Sequence, residues 1–142
     1  MAKANQLNQW TLTLLRLVLG VIFAYHGYLK LFVPGGFKGT VGFFLAIGIP
    51  LPFYSAFLIA LVEFVGGIFL LLGIVTKLAT AALIIEMLVA FFKVHLKNGL
   101  VISQTAYGYE FVLLLLAALV VVLVNGAGAF SLVKLFKNKW LQ

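Results

Sequence analysis

Long apolar runs alternate with short polar interruptions along this chain, and the run lengths set the fold. Four runs come close to the ~20 residues a helix needs to cross a hydrocarbon core: residues 12–33, 53–75, 78–97 and 107–125. Polar and small positions in the first run recur at helical spacing. At about 100° per residue, Lys30 lies about 40° and His26 about 80° to one side of Arg16. Gly20 and Gly27 lie within about 40° on the other side, and Val18 and Ile22 point elsewhere. Small residues let a partner backbone approach, so this stripe should face the other helices.

The connection between the first two runs, residues 34–52, opens with Pro34-Gly35-Gly36 and closes with Pro50 and Pro52. Prolines and glycines punctuate it at both ends. The apolar stretch between them is too short to span, which predicts a short interfacial or re-entrant helix. Val75-Thr76-Lys77 is a tight turn, so the second and third runs should be antiparallel neighbours. The pattern predicts an all-α fold: a membrane-embedded four-helix bundle, one four-span domain over 1–142, with the short segment after the first span.

Composition agrees. The chain is 65% hydrophobic and only 9% charged, against about a quarter charged in soluble domains. A lipid bilayer is therefore its surroundings. No cysteine is present, which excludes disulfides and thiolate metal sites. The net charge of +7 is spread over segment ends and span interiors, not gathered in one patch, so no nucleic-acid partner is expected. Residues 1–10 form a polar lead, and the first apolar run is too long for a signal segment, so it should be retained. The amino terminus, the Lys77 turn and the tail share one side, with Lys3, Lys77, Lys134, Lys137 and Lys139, and Arg16 just inside; Lys30, Lys38, Lys93 and Lys97 mark the other. This bias puts both termini in the cytoplasm of a multi-pass cell-membrane protein. The tail 134–142, with Trp140 and three lysines, suits the headgroup level.

The acids change the picture most. There are three, Glu63, Glu86 and Glu110, each within an apolar run. An ionisable group inside a span is costly and is a functional candidate by default. Matching depths suggests three pairs: Arg16 with Glu86, His26 with Glu63, and Lys30 with Glu110. His26, between Tyr25 and Tyr28, suits proton exchange near neutral pH. The bland alternative stays open, in which the pairs only hold helices in register. No metal is expected, because neither His26 nor His95 has a carboxylate three residues away on its helix, as a bundle di-iron site requires.

Several motifs in order resemble the DoxX family of small four-span membrane proteins. The first span carries Arg16, Gly20, Phe23, His26-Gly27 and Lys30. The loop carries Gly48-Ile49-Pro50. The second span carries Glu63, Gly66-Gly67 and Leu72-Gly73, followed by Thr76-Lys77. The fourth opens with Gly108-Tyr109-Glu110 and closes near Gly126, Gly128, Ser131 and Leu132. Ala129 and Val133 stand where family members often have Arg and Asp, so a charged contact at the inner mouth is expected to be missing. The resemblance implies a quinone-linked redox role, which leaves the cofactor open with quinone as the candidate.

On that reading the chain is a quinone-associated accessory subunit of a membrane redox system, the membrane subunit of an oxidoreductase with no redox centre of its own. His26, Glu63 and Glu110 would be the catalytic, proton-exchanging groups. Arg16, Tyr25, Lys30, Glu86 and Tyr109 would help to bind the cofactor. A partner redox subunit or a second copy would complete the system. Two alternatives remain: a non-enzymatic module or scaffold that binds a lipid or another hydrophobic small molecule, and a proton-coupled transporter using the same acids.

Overall fold

The computed structural model describes residues 2–102 and 107–132. Among the described residues five α-helices follow one another: α1 (Ala2–Phe32), α2 (Gly36–Ala46), α3 (Pro52–Leu72), α4 (Thr76–Ala90) and α5 (Glu110–Asn125). α4 runs on through one wide π-type turn, Phe91–His95, and a narrow 3-10 turn, Leu96–Asn98.

Local chemistry fixes the ends. Pro52 lies in the first turn of α3, where its missing N–H leaves no intrahelical bond unmade. Gly73 ends that helix in the left-handed region, at φ 68°. Its N–H reaches Leu70 O (3.2 Å) and that of Ile74 reaches Phe69 O (3.1 Å). This is a Schellman closure, which satisfies the last carbonyls of α3 and turns the chain within three residues into α4.

Four helices close a ring in which α1 meets α3 and α5, and α4 meets the same two. The α1–α3 seam is the tightest. A Cβ added at Gly27 would lie 2.6 Å from Phe64 Cα, and one at Gly67 would lie 2.7 Å from Ala24 Cα. Only glycine lets the two backbones come this close. Leu19, Phe23, Leu70, Leu83, Leu119 and Val122 fill the interior. Leu14, Val21, Leu58, Ile85, Leu114 and Val124 are exposed on the outside. That inversion of the soluble pattern marks a lipid-facing surface. Gln6–Phe32, Pro52–Leu72 and Thr76–Asn98 are long and apolar enough to cross a membrane, and α5 is a shorter apolar helix. The chain is a membrane protein, a helical bundle as its apolar runs predict.

Two helix starts differ from the expectation. α1 starts ten residues before the apolar run, because nothing in ANQLNQWTL breaks a helix. The fourth helix starts at Glu110, not 107, after Gly108 packs on the carbonyls of Leu100 and Val101. The short segment is α2, which has no buried residue. It leans on the first half of α3 through Phe37, whose ring meets Phe53 at 5.3 Å and Phe57 at 6.5 Å. The tail 134–142 lies outside the described residues.

Candidate functional site: an acid pair and a lysine under an apolar cavity

The short turn between α3 and α4 sets the register of their hairpin. Glu63 precedes the end of α3 by nine residues, about 14 Å at 1.5 Å per residue. Glu86 follows the start of α4 by ten, about 15 Å. The two acids therefore stand at one height on adjacent helices, and their carboxyl groups are in hydrogen-bonding contact. Lys30 reaches across from α1, and its ammonium donates to Glu63 Oε2. Glu63 and Glu86 are buried, at 4% and 6% exposure. Oε2 of Glu86 has no hydrogen-bond donor among the described residues.

Above this cluster lies a cavity of about 840 Å3. Its walls are Ile22, Phe23, His26 and Lys30 of α1, Gly39, Thr40, Phe43 and Phe44 of α2, and Leu58, Ile59 and Glu63 of α3. Glu86, Met87, Lys93 and His95 close it from α4 and the turns beyond, and Phe111, Val112 and Leu115 from α5. His26 is exposed on this wall, and its imidazole has no hydrogen-bond partner among the described residues. His95 is tied down instead, with Nδ1 2.9 Å from Tyr107 O.

None of the three depth-matched pairs forms. Arg16 does not meet Glu86. It is 1% exposed and donates to Leu70 O (2.5 Å), Leu71 O (3.4 Å) and Phe130 O (2.5 Å). A cation at a helix C-terminus is favoured by the unpaired carbonyls there, and α3 ends beside Arg16. Lys30 takes Glu63 in place of His26, because its longer stem spans the seam that Gly27 narrows. Glu110 lies outside the cluster. It is exposed at the first turn of α5, where Oε1 accepts from the Ile102 N–H at 2.8 Å. Tyr25 faces outward and stacks on Tyr28, with centroids 6.5 Å apart. Tyr109 packs edge-on against Phe91 at 5.3 Å.

The structure thus brings His26, Lys30, Glu63 and Glu86 together and leaves Arg16, Tyr25, Tyr109 and Glu110 elsewhere. Arg16 borders a second cavity, of about 630 Å3, beside Trp10 and Phe130 at the other end of the bundle. Lys93 and His95, which the sequence analysis did not place in a site, also line the main cavity. On an ideal helix Lys93 lies about 20° from Glu86, which agrees with both lining one cavity.

Among known proteins, the DoxX family model matches residues 11–96. The chain is 36% identical over 84 residues to the Bacillus subtilis protein named "Putative oxidoreductase CatD", a match covering 59% of each chain. It is 31% identical over 141 residues to an uncharacterized protein of Haemophilus influenzae, covering 98% of this chain and 100% of that one. No solved structure matches. The matched segment runs from within α1 to beyond the end of α4, covers more than half of the chain and holds Arg16, His26, Lys30, Glu63 and Glu86, and on this ground the chain belongs to the DoxX family.

Proposed function

We propose that the protein is a quinone-associated accessory subunit of a redox system in the cell membrane, with both termini in the cytoplasm. The observation that carries this reading is the cavity. It is apolar, it lies within a membrane bundle, and ionisable groups stand at one end of it. Its volume falls in the ~300–1,000 Å3 range of small-molecule sites, which pair apolar walls with a few placed polar groups. A quinone head fits that description, and its isoprenoid tail suits the lipid-facing surface. The similarity to a protein named an oxidoreductase adds support.

A bound quinone would supply a reversible couple of two electrons and two protons. The chain's own residues would do the rest. His26 offers a free imidazole nitrogen to a carbonyl or hydroxyl on the head. Lys30 holds Glu63 in place. Glu63 and Glu86 form the acid group nearest the cavity and take over the proton-exchanging role. Glu110, expected to share it, is engaged by the loop at Ile102. Electrons would come from a partner redox subunit or through a second copy.

Purification in a mild detergent, with an absorbance spectrum and mass spectrometry of co-purified small molecules, tests the reading. A quinone retained in amounts comparable to the protein is the expected result. Phospholipid alone would overturn it in favour of a lipid-binding module.

A further inference from the structure

The carboxyl contact under the cavity has a requirement of its own. Ionised carboxylates only accept hydrogen bonds, and a protonated one also donates. Two facing carboxyl groups therefore need a proton between them, and without it two like charges would sit in contact away from water. Among the described residues one cation reaches the pair, Lys30 on Glu63. The oxygen left without a donor is Oε2 of Glu86, in a side chain more than nine-tenths buried. One lysine, two acids and one unsatisfied oxygen balance when a single proton is added. The cluster is then neutral and every buried oxygen can be paired.

We propose that Glu63 and Glu86 are a proton-binding site that holds one shared proton at neutral pH and exchanges it through the cavity. The site deepens the functional reading above but does not depend on what occupies the cavity. The surrounding groups fit a proton path. Lys30 and His26 face the cavity from α1, Lys93 and His95 from the turns after α4, and Tyr107 from the loop before α5. No titratable residue of α2 or α5 lines it among the described residues. His26 has no hydrogen-bond partner among the described residues and lines the same cavity as the cluster, where it can pass the proton on.

Infrared spectroscopy of the ligand-free protein reads this proton directly. The chain has only three carboxylic side chains, all glutamates, so the carbonyl stretch of a protonated carboxyl is assignable. The native protein at neutral pH should show one such band, displaced by deuterium exchange and by 13C-glutamate labelling. Glu86→Gln should remove it, and Glu110→Gln should leave it. In Lys30→Gln the stranded second acid should also take a proton, roughly doubling the band. The native measurement stands even if Glu86→Gln fails to fold. Absence of the band, its resistance to deuterium exchange, its survival in Glu86→Gln or its loss in Glu110→Gln would overturn the proposal. None of these outcomes bears on whether a quinone co-purifies, so the two readings can fail separately.

Discussion

Gly66 and Gly67 are consecutive in α3, yet a methyl group should act on them in opposite directions. At Gly66 a Cβ would meet the Leu83 side chain at 3.5–3.6 Å, an ordinary contact. Alanine there gains about 0.5–1 kcal/mol of helix preference. At Gly67 the same atom would meet Ala24 Cα at 2.7 Å and Ala24 Cβ at 2.9 Å, and would run into the Ala24 backbone nitrogen. Backbone cannot rotate aside as a side chain can, so α1 and α3 must part by close to 1 Å. A gap of 0.5–1 Å forfeits about a quarter to a half of each affected dispersion contact. Overpacking costs about 1–3 kcal/mol, and the upper end applies where the obstacle is main chain. After the helix gain, Gly67→Ala should lose about 1–2 kcal/mol. Thermal unfolding of both variants in one detergent, followed by helical circular dichroism, gives the comparison. Gly66→Ala should match or exceed the native midpoint while Gly67→Ala falls below it. Ala24→Gly added to Gly67→Ala should recover only part, because it removes the Cβ but not the nitrogen. Equal midpoints for the two alanine variants would refute the close α1–α3 seam.

Lys30→Met should strand the acid pair and cost about 3–5 kcal/mol, and adding Glu63→Gln should restore much of it; a double variant no better than the worse single would mean the ion pair does not form. Arg16→Gln removes charge-assisted bonds to three carbonyls, each worth about 1.5–3 kcal/mol, so its detergent midpoint should be the lowest of the set; a near-native midpoint would contradict the cap on α3. His26→Gln should leave the midpoint close to native but release the co-purifying molecule, and full retention of that molecule would make His26 a bystander. For orientation, a cysteine at Lys38 should react with an impermeant thiol reagent applied to whole cells and one at Lys77 should not; the reverse pattern would invert the topology.

The helices were legible because each is a long apolar run between turn residues. Of the stripe read as turned inward, Arg16, Gly20 and Gly27 are buried and Lys30 half-buried, whereas His26 is exposed. The pairing of charges was not legible, and the reason is geometric. Depth along single spans leaves several partners for each cation, whereas the hairpin register leaves one. Counting outward from the Gly73–Val75 turn sets Glu63 opposite Glu86, and that count was available from sequence once the turn was recognised. Nothing comparable could have placed Arg16. Its partners are main-chain carbonyls at Leu70, Leu71 and Phe130, and carbonyls leave no mark in residue identity. The same holds for Thr13, whose hydroxyl accepts from the Ala129 N–H at 2.8 Å and so pins the segment after α5 against α1. Glu110 misled for another reason. A carboxylate at the edge of an apolar run reads as buried until the helix is known to begin at that residue.

α5 has a mechanical consequence for the bilayer. Its 16 residues reach about 24 Å, against about 32 Å for the 21 residues of α3 and a hydrocarbon core of about 30 Å. α5 by itself is therefore shorter than the hydrocarbon core it faces. Lipids there must compress or the whole bundle must lean, at fractions of a kcal/mol per Å of mismatch. The shortfall of about 6 Å amounts to about 1–3 kcal/mol of elastic strain on that side alone. Any neighbour that covers α5 relieves this strain before forming a single specific contact. Association in the membrane is thus biased toward the α5 flank, and thinner bilayers should weaken that bias.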